Sequence, residues 1–422
     1  MTPSSVAHPL LSTVNQKRLI FILGCISMLM PLSIDLYLPS FTEIAHTYGT
    51  TDGMVSLTIG SYLAGFGLGQ LVYGPISDSY GRKPIILFGL LAFMAATIGC
   101  AYAPTIDALI GLRFLHGFAA ASCVVVINAL LRDLFDKEDF SRTLSFVTLV
   151  SNVAPLLAPI VGGWIIIWYP WQVMFGVLAA CALVVLLLVA LYIPETLRKE
   201  YRVTFSLGKT LGHFMALFGN KKMLCYMLAG GFSSMGLFGF LSFGTAVYIK
   251  LYGVPAQHFG YYFAFNIITM MGFTTLNTRL VRRLGTMSML KLGLGIQGVM
   301  GVLMLLVTIF DLGFIPLVLT VAGYIGCVSM VGSNLMATML SQFSRMSGTV
   351  SSLAGTLKFF ISSLGVMVLS MFLQNQQARE AALGIVDSRS PQWVMVGAMA
   401  ASVFLALLFL WVGARAEEQE IV

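Results

Sequence analysis

The chain has 422 residues, of which 58% are hydrophobic and only 10% are charged, and its mean hydropathy is +0.90. Soluble globular domains carry about 25% charged residues, so this composition excludes that class and indicates a polytopic membrane protein. The formal net charge of +7 would suit a nucleic-acid-binding protein only if the basic residues were clustered on one soluble surface.

Apolar segments long enough to cross the hydrocarbon core of a bilayer, roughly 30 Å, recur along the chain. We predict twelve membrane-spanning helices, at about 19–41, 54–74, 84–103, 105–131, 141–168, 171–193, 223–249, 257–277, 286–309, 313–340, 347–373 and 392–412. The predicted organisation is all-α, with two six-helix bundles joined by a linker and flanked by two tails. Its parts are an N-terminal tail (1–18), a first bundle (19–193), a linker (194–222), a second bundle (223–412) and a C-terminal tail (413–422).

The basic residues predict the orientation of these helices. With both termini in the cytoplasm, 19 of the 24 lysines and arginines fall in cytoplasmic segments, and only Lys250, Arg379 and Arg389 fall in external loops. Cytoplasmic loops of membrane proteins are enriched in Lys and Arg, so this orientation is expected. The basic residues then face anionic lipid, and we expect the bilayer, not a nucleic acid, as their partner. The first helix is expected to be an uncleaved anchor.

The two halves also resemble each other in sequence. When the chain is shifted by 200 positions, residues 60–66 align with 260–266, and residues 82–83 align with 282–283. Related halves are typical of transporters, which handle their substrate at the interface between the repeats near the membrane midplane.

The charged residues that lie deepest inside the predicted spans are Asp35, Arg113 and Lys358. Charge in the hydrocarbon region is costly, so each is a candidate for function. Asp35 and Arg113 lie about 9 Å and 12 Å from the outer ends of their helices, so they are expected to share a depth and to be able to pair. An Asp35 that merely reaches the outer headgroups is the alternative. Lys358 lies about 16 Å into its helix, where local pairing and a cavity role are both open.

The first cytoplasmic loop has the sequence GPISDSYGRKP. Its motif residues are Gly74, Asp78, Gly81, Arg82 and Lys83. The glycines permit a tight turn, and an aspartate in this place can pair with a cation or cap a helix. The loop resembles that between helices 2 and 3 of the major facilitator superfamily, of the form G-x-x-x-D-x-x-G-R-[RK]. The resemblance implies a conformational latch between inward-facing and outward-facing states.

The predicted fifth helix is rich in proline and glycine. Pro155 and Pro159 remove backbone donors and are expected to bend it, while Gly162 and Gly163 let a neighbouring helix approach closely. The segment resembles the motif typical of the antiporter branch of the same superfamily, although Ala154 stands where a glycine usually precedes the proline.

Within the superfamily, the D-x-Y-L-P pattern of residues 35–39 resembles the Bcr/CflA group of drug exporters. The stretches 69–78, 126–133 and 348–355 agree with that group, and the segment around Arg113 resembles the fourth-helix signature of the superfamily as a whole. The resemblance implies a proton-driven exporter of bicyclomycin-type antibiotics and other drugs in the bacterial inner membrane. Asp35 would carry the proton and Arg113 would tune it. Candidate substrate contacts are Tyr37, His116, Asn128, Asn152, Asn266 and Lys358, with packing as the alternative for His116.

No G-x-x-x-x-G-K-[ST] loop is present, so the cycle is expected to need no nucleotide, and we expect no cofactor and no metal site. Five scattered histidines argue against a membrane enzyme. The alternative function is a proton-coupled symporter or an exporter of a metabolite such as an amino acid or a sugar. The expected partners are a small-molecule drug, protons and lipid, and the chain is expected to act as a monomer.

Overall fold

A computed structural model of the protein describes residues 16–135, 137–197, 200, 202, 208, 212, 215, 217–342, 347–383 and 389–421. Throughout these residues the regular structure is helical, and they contain no strand. Most of the predicted N-terminal tail (1–18) and much of the predicted linker (194–222) lie outside the described residues, so those two boundaries stay predictions.

The first half of the chain supplies the helices of the first bundle. They are α1 (Gln16–Asp35), α2 (Phe41–Thr47), α3 (Asp52–Tyr80), α4 (Arg82–Ala101), α5 (Ile106–Leu134), α6 (Lys137–Ser151), α7 (Val153–Trp168) and α8 (Gln172–Tyr192). The second half supplies α9 (Lys221–Thr245), α10 (Ala256–Leu284), α11 (Thr286–Ile309), α12 (Phe314–Gln342), α13 (Ser347–Ala382) and α14 (Ser390–Ile421). The all-α fold class is therefore confirmed.

Within the described residues, eleven helical segments are long and apolar enough to cross a membrane. The predicted span 257–277 is the exception, because α10 has a helix of sufficient length but a more polar composition. Its threonines satisfy their hydroxyls by donating to carbonyls four residues earlier, as Thr269 does to Phe265 at 2.8 Å. The threonine hydroxyls of this helix therefore fit a helical span without requiring partners on other helices.

The first predicted span, 19–41, is not one continuous helix. The helix α1 ends at Asp35, a single 3-10 turn follows at Leu38–Ser40, and α2 then begins. Pro39 explains the break, since proline lacks a backbone N–H and disfavours helical geometry in the residue before it. Asp35 consequently lies where the backbone leaves the helix, a position that the continuous prediction did not give it.

The predicted fifth span, 141–168, is also divided. The helix α6 ends at Ser151 and α7 begins at Val153, with Asn152 between them. Pro155 follows within the first turn of α7, where a missing N–H costs little, and Pro159 lies inside that helix. The proline-rich segment thus joins two helices end to end.

Contacts between the bundles run mainly through two helix pairs. The helix α3 packs along α13, and α7 packs along α10. Glycines bring the backbones together at both places, because a β-carbon at Gly60 would meet Met367 at 2.9 Å and one at Gly260 would meet the backbone of Ile160 at 2.6 Å. The two members of the sequence repeat, 60–66 and 260–266, therefore each place a glycine against the opposite bundle.

The repeat has a slightly different register in the structure. Both α3 and α10 have 29 residues, and each is followed by a glycine with positive φ, Gly81 at 104° and Gly285 at 81°. These glycines lie 204 positions apart, one helical turn more than the 200 positions that align residues 82–83 with 282–283. A shift by one turn keeps the same helix face, so the sequence pattern alone does not distinguish the two registers.

Candidate functional site

A buried cluster forms around Arg113 of α5. The side chain is 0% exposed, and its guanidinium carbon lies 4.8 Å from the ring centre of Tyr37 and 4.6 Å from that of Tyr62. Such cation–π contacts stabilise a desolvated cation. The Nη1 atom also donates to the carbonyl oxygen of Ser33 at 3.0 Å. Two aromatic faces and the end of α1 thus hold the buried guanidinium.

His116 extends this cluster. Arg113 Nη1 lies 3.1 Å from His116 Nδ1, and because a guanidinium can only donate, Nδ1 accepts. The ring proton is then on Nε2, which lies 3.0 Å from the hydroxyl of Thr97. Phe93 packs against the imidazole with ring centres 4.3 Å apart. His116 is thus a packed, hydrogen-bonded residue in this conformation and does not line the cavity between the bundles described below.

Asp35 lies beside this cluster but makes no ion pair with Arg113. Its side chain is 5% exposed and has no hydrogen bond or ion pair to any residue that the structure describes. The expected shared depth holds, because Arg113 bonds the carbonyl of Ser33, two residues before Asp35. The last carbonyls of a helix lack partners within it, so the end of α1 offers the guanidinium a neutral acceptor. Arg113 Nε and Nη2 are buried without a partner among the described residues.

The glycines of α7 hold the Asp35 segment in place. A β-carbon at Gly162 would collide with the carbonyl oxygen of Leu36, the residue after Asp35. A β-carbon at Gly163 would lie 2.8 Å from the carbonyl oxygen of Ala256, at the start of α10. Adjacent glycines therefore bring the unwound part of the first span and a helix of the opposite bundle against the same turn of α7.

A cavity of about 380 Å³ lies between the bundles at the end of α3 that carries Asp78. Residues of α3, α5 and α13 line it. They are Gln70, Leu71, Gly74, Pro75, Asp78, Val124, Val125, Asn128, Arg132, Thr349, Ser351, Ser352 and Gly355. Among the predicted substrate contacts, Asn128 lines this cavity. The mixture of amide, hydroxyl and apolar groups is typical of a small-molecule site.

The other candidate contacts lie elsewhere. Tyr37 is buried and its hydroxyl lies 3.1 Å from that of Thr58. Asn266 is 2% exposed, and neither its amide oxygen nor its amide nitrogen has a partner among the described residues. Asn152 lies at the break between α6 and α7. The structure therefore gathers only part of the predicted set around one cavity.

The opposite end of the interface is closed by contacts between the bundles. Lys250 Nζ of the second bundle lies 2.8 Å from Asp52 Oδ2 of α3, and Gln377 Nε2 of α13 donates to the same oxygen at 3.0 Å. Deeper in the interface, Ser56 donates to the carbonyl of Ser242 at 2.7 Å. We call Asp52, Lys250 and Gln377 the closing triad. The structure is therefore closed at the triad and has its cavity at the Asp78 end.

Two acids outside the loop motif, Asp133 and Glu195, bind its residues in addition to Asp78. Arg82 forms an ion pair with Asp78 and donates from Nε to Asp133 at 2.9 Å. Glu195 accepts from the backbone N–H groups of Arg82 at 2.9 Å and Lys83 at 3.2 Å, so it caps the N-terminus of α4.

Sequence reasoning missed both of these acids and also the closing triad. Glu195 follows Pro194 in a stretch that has one other acid, Glu200, and is otherwise basic, and this was only a weak signal for helix capping. The triad residues had no local signal, because they come from three distant parts of the chain.

Two packed helical bundles that span a membrane, with a polar cavity between them at one end, define a membrane transporter. The Major Facilitator Superfamily model matches residues 23–366, and the chain belongs to that family. It is 39% identical over 402 residues to the bicyclomycin resistance protein homolog of Haemophilus influenzae, covering 94% of this chain and 98% of that protein. It is 28% identical over 366 residues to a chloramphenicol resistance protein of Pseudomonas aeruginosa, covering 84% of each.

A solved structure of a D-xylose-proton symporter shares the fold, with a TM-score of 0.74 at 15% identity over 94% of this chain and 97% of that one. At this identity the likeness concerns the fold alone. The family resemblance of the sequence motifs and the two-bundle transporter fold are thus confirmed, and the relatives are transporters and not enzymes.

Proposed function

We propose that this protein exports small-molecule drugs from the bacterial cytoplasm in exchange for protons, by alternating access between its two bundles. In this proposal it works as a monomer in the inner membrane with both termini in the cytoplasm, and the cavity at the Asp78 end faces the cytoplasm. Bicyclomycin and chloramphenicol, which give two relatives their names, are the substrates that we expect first.

The observation that carries the proton coupling is the isolation of Asp35. An ionised carboxylate buried from water without a partner is strongly unfavourable, whereas a protonated one is tolerated. Asp35 has no ion pair or hydrogen bond to the described residues and is 5% exposed, so it binds a proton in this conformation. When water and a drug enter through the cytoplasmic cavity, the proton leaves to the cytoplasm, and Asp35 takes up another proton from outside after the triad end has opened.

Arg113 supports this cycle. Two of its nitrogens are unpartnered in the described part of the chain, while Nη1 already bonds the carbonyl two residues before Asp35. A short movement of the unwound segment brings the ionised carboxylate to those donors. The buried cation therefore stabilises the deprotonated state that the bound drug also favours, and this competition between proton and drug obliges exchange.

The test uses everted membrane vesicles that contain the protein and carry an acid interior. Adding chloramphenicol to the wild-type vesicles is expected to release protons from the lumen, because inward drug movement is coupled to outward proton movement. Asp35→Asn should abolish the release while the protein still folds and inserts, since it removes only a buried ionisable group. Asp107→Asn, at an exposed acid in the first turn of α5, is the matched control.

The proposal is wrong if the Asp35→Asn protein still builds a chloramphenicol gradient that collapses when the proton gradient is dissipated. That outcome would show that another buried group carries the proton, and Lys358 and His116 would be replaced next. Absence of proton release from wild-type vesicles, with measurable chloramphenicol transport, would instead remove the antiport mechanism altogether.

A further inference from the structure

Lys358 is a cation in the membrane interior whose ammonium has no ion pair or hydrogen bond to the residues that the structure describes. It is half-buried on α13, and its Nζ lies 5.4 Å from the ring centre of Phe359. Arg113, the other interior cation, is fully buried among its own contacts. Lys358 is therefore the interior cation that remains available to a ligand in the described structure.

The periodicity of α13 shows which way Lys358 faces. The exposed residues Phe360, Leu364 and Val368 follow one another at four-residue spacing, so they mark the lipid face of the helix. Lys358 lies two residues before Phe360, which at about 100° per residue places it on the opposite side. Ser351 and Gly355, seven and three residues earlier, share its face and line the cavity. Lys358 thus lies about one turn, roughly 5 Å, beyond the cavity lining.

An aromatic cluster lies next to this inner end of the cavity. Phe359 packs edge-to-face against Phe66 of α3, with ring centres 4.6 Å apart, and against Phe238 of α9, with ring centres 5.7 Å apart. Gln70, one turn from Phe66, lines the cavity itself. A molecule that advances from the cavity therefore reaches an apolar aromatic surface with a single ammonium beside it.

The acid that lines the cavity is already paired, and so is the acid at the closed end. Asp78 at the cavity is bonded to Arg82, and Asp52 at the closed end is bonded to Lys250. Asp35 is buried, and Arg132 at the cavity donates its Nε to the carbonyl of Asn128 without a carboxylate partner in the described residues. The charges that the described residues offer to a substrate are thus positive.

We propose that Lys358 determines which class of substrate the site accepts, an inference that rests on the proposed function. The site takes neutral or anionic molecules that combine an aromatic or apolar part with acceptor oxygens, and it disfavours permanent organic cations. The ammonium donates to a carbonyl, hydroxyl or nitro oxygen, while Phe66, Phe238 and Phe359 pack against the apolar part. An organic cation is repelled by Lys358, and the acid that lines the cavity, Asp78, is already bonded to Arg82 and does not compensate.

Equilibrium binding to purified protein in detergent tests this directly and does not depend on proton coupling. The probes are chloramphenicol, which is neutral and rich in acceptor oxygens, and tetraphenylphosphonium, a permanent cation. The wild type should bind chloramphenicol and bind tetraphenylphosphonium at least tenfold more weakly. Lys358→Met should weaken chloramphenicol binding about tenfold, the loss expected for one charge-assisted hydrogen bond. The same variant should bind tetraphenylphosphonium several-fold more tightly, and Lys358→Arg should retain most of the chloramphenicol affinity.

Lys291→Met removes the same charge from an exposed position on α11 and is the control for folding and net charge. The proposal is overturned if wild-type protein binds both probes equally, or if Lys358→Met leaves both affinities unchanged. A Lys358→Met protein that loses transport but keeps both affinities would also overturn it, because the residue would then act in coupling. Failure of the antiport proposal is seen separately, as absent proton release from wild-type vesicles that bind chloramphenicol normally.

Discussion

The closing triad offers a direct test of how the two bundles are held together. Asp52 is nearly buried and accepts from Lys250 and Gln377, both of the second bundle. Asp52→Asn removes the charge but keeps the size of the side chain. Because Asp52 lies between the bundles, the substitution destabilises the state that is closed at this end and leaves the folding of each bundle unchanged.

The magnitude follows from the exposure of the partners. The side chain of Lys250 is 58% exposed, so its ion pair contributes only about 0.5–1 kcal/mol. The bond from Gln377 to a buried carboxylate contributes about 1 kcal/mol more than the same bond to a neutral amide. Asp52→Asn should therefore weaken the closed state by about 1–2 kcal/mol, which is roughly a 5–30-fold shift toward opening at this end. The contact of Ser56 with Ser242 persists, so the end opens more often without staying open.

The assay is the labelling rate of a cysteine placed at Ser370, using a membrane-impermeant maleimide on protein whose six native cysteines have been replaced. Ser370 is fully buried beside Gly53 of α3, and its hydroxyl has no partner among the described residues, so the cysteine should be tolerated. Labelling should accelerate in Asp52→Asn. Asp311→Asn is the matched control, since Asp311 pairs with Arg389 within one half of the chain. An unchanged rate in Asp52→Asn, or an equal acceleration in Asp311→Asn, would refute the reasoning.

Three further outcomes are expected. Asp78→Asn should impair transport while chloramphenicol affinity in detergent stays within about twofold, because the carboxylate of Asp78 is already bonded to Arg82 at the cavity and its replacement acts on the balance of conformers. Gly162→Val should abolish transport and lower the midpoint of thermal unfolding, since its side chain collides with the unwound part of the first span, whereas Gly176→Ala, in open space, should change neither. Cysteines at Asn220 and Arg389 should label from opposite sides of the membrane, and labelling of both from outside would contradict the predicted topology.

Composition and hydropathy predicted the helices well, because both properties act along the chain and need no knowledge of contacts. The facing of individual residues was not accessible in the same way. In a membrane helix the lipid face and the packed face are both apolar, so the usual polar–apolar period carries little information. Lys358 illustrates this, since its orientation became clear only from the exposure of Phe360 and the residues that follow it.

The Asp35 region shows an error that comes from treating each membrane span as one continuous helix. The shared depth of Asp35 and Arg113 followed correctly from counting residues along two helices. Their direct pairing did not follow, because the end of α1 provides a carbonyl that the guanidinium bonds first. Pro39 carried the missing signal, since it predicts a break within a few residues of the acid. Counting residues therefore predicted the depth of Asp35 and Arg113, but their hydrogen-bond partners depended on the local backbone geometry.

The break after α1 also bears on how a proton could drive the bundles. Gly162 packs on the carbonyl of Leu36, and the adjacent Gly163 packs on the start of α10 across the interface. A change in the position of the Asp35 segment is thus transmitted by rigid backbone contact to the α7–α10 pair. The α3–α13 pair carries the closing triad at one end and the cavity at the other. We infer that deprotonation pulls the Asp35 segment toward Arg113 and so loosens the contact between α7 and α10. The α3–α13 pair then opens at the closing triad.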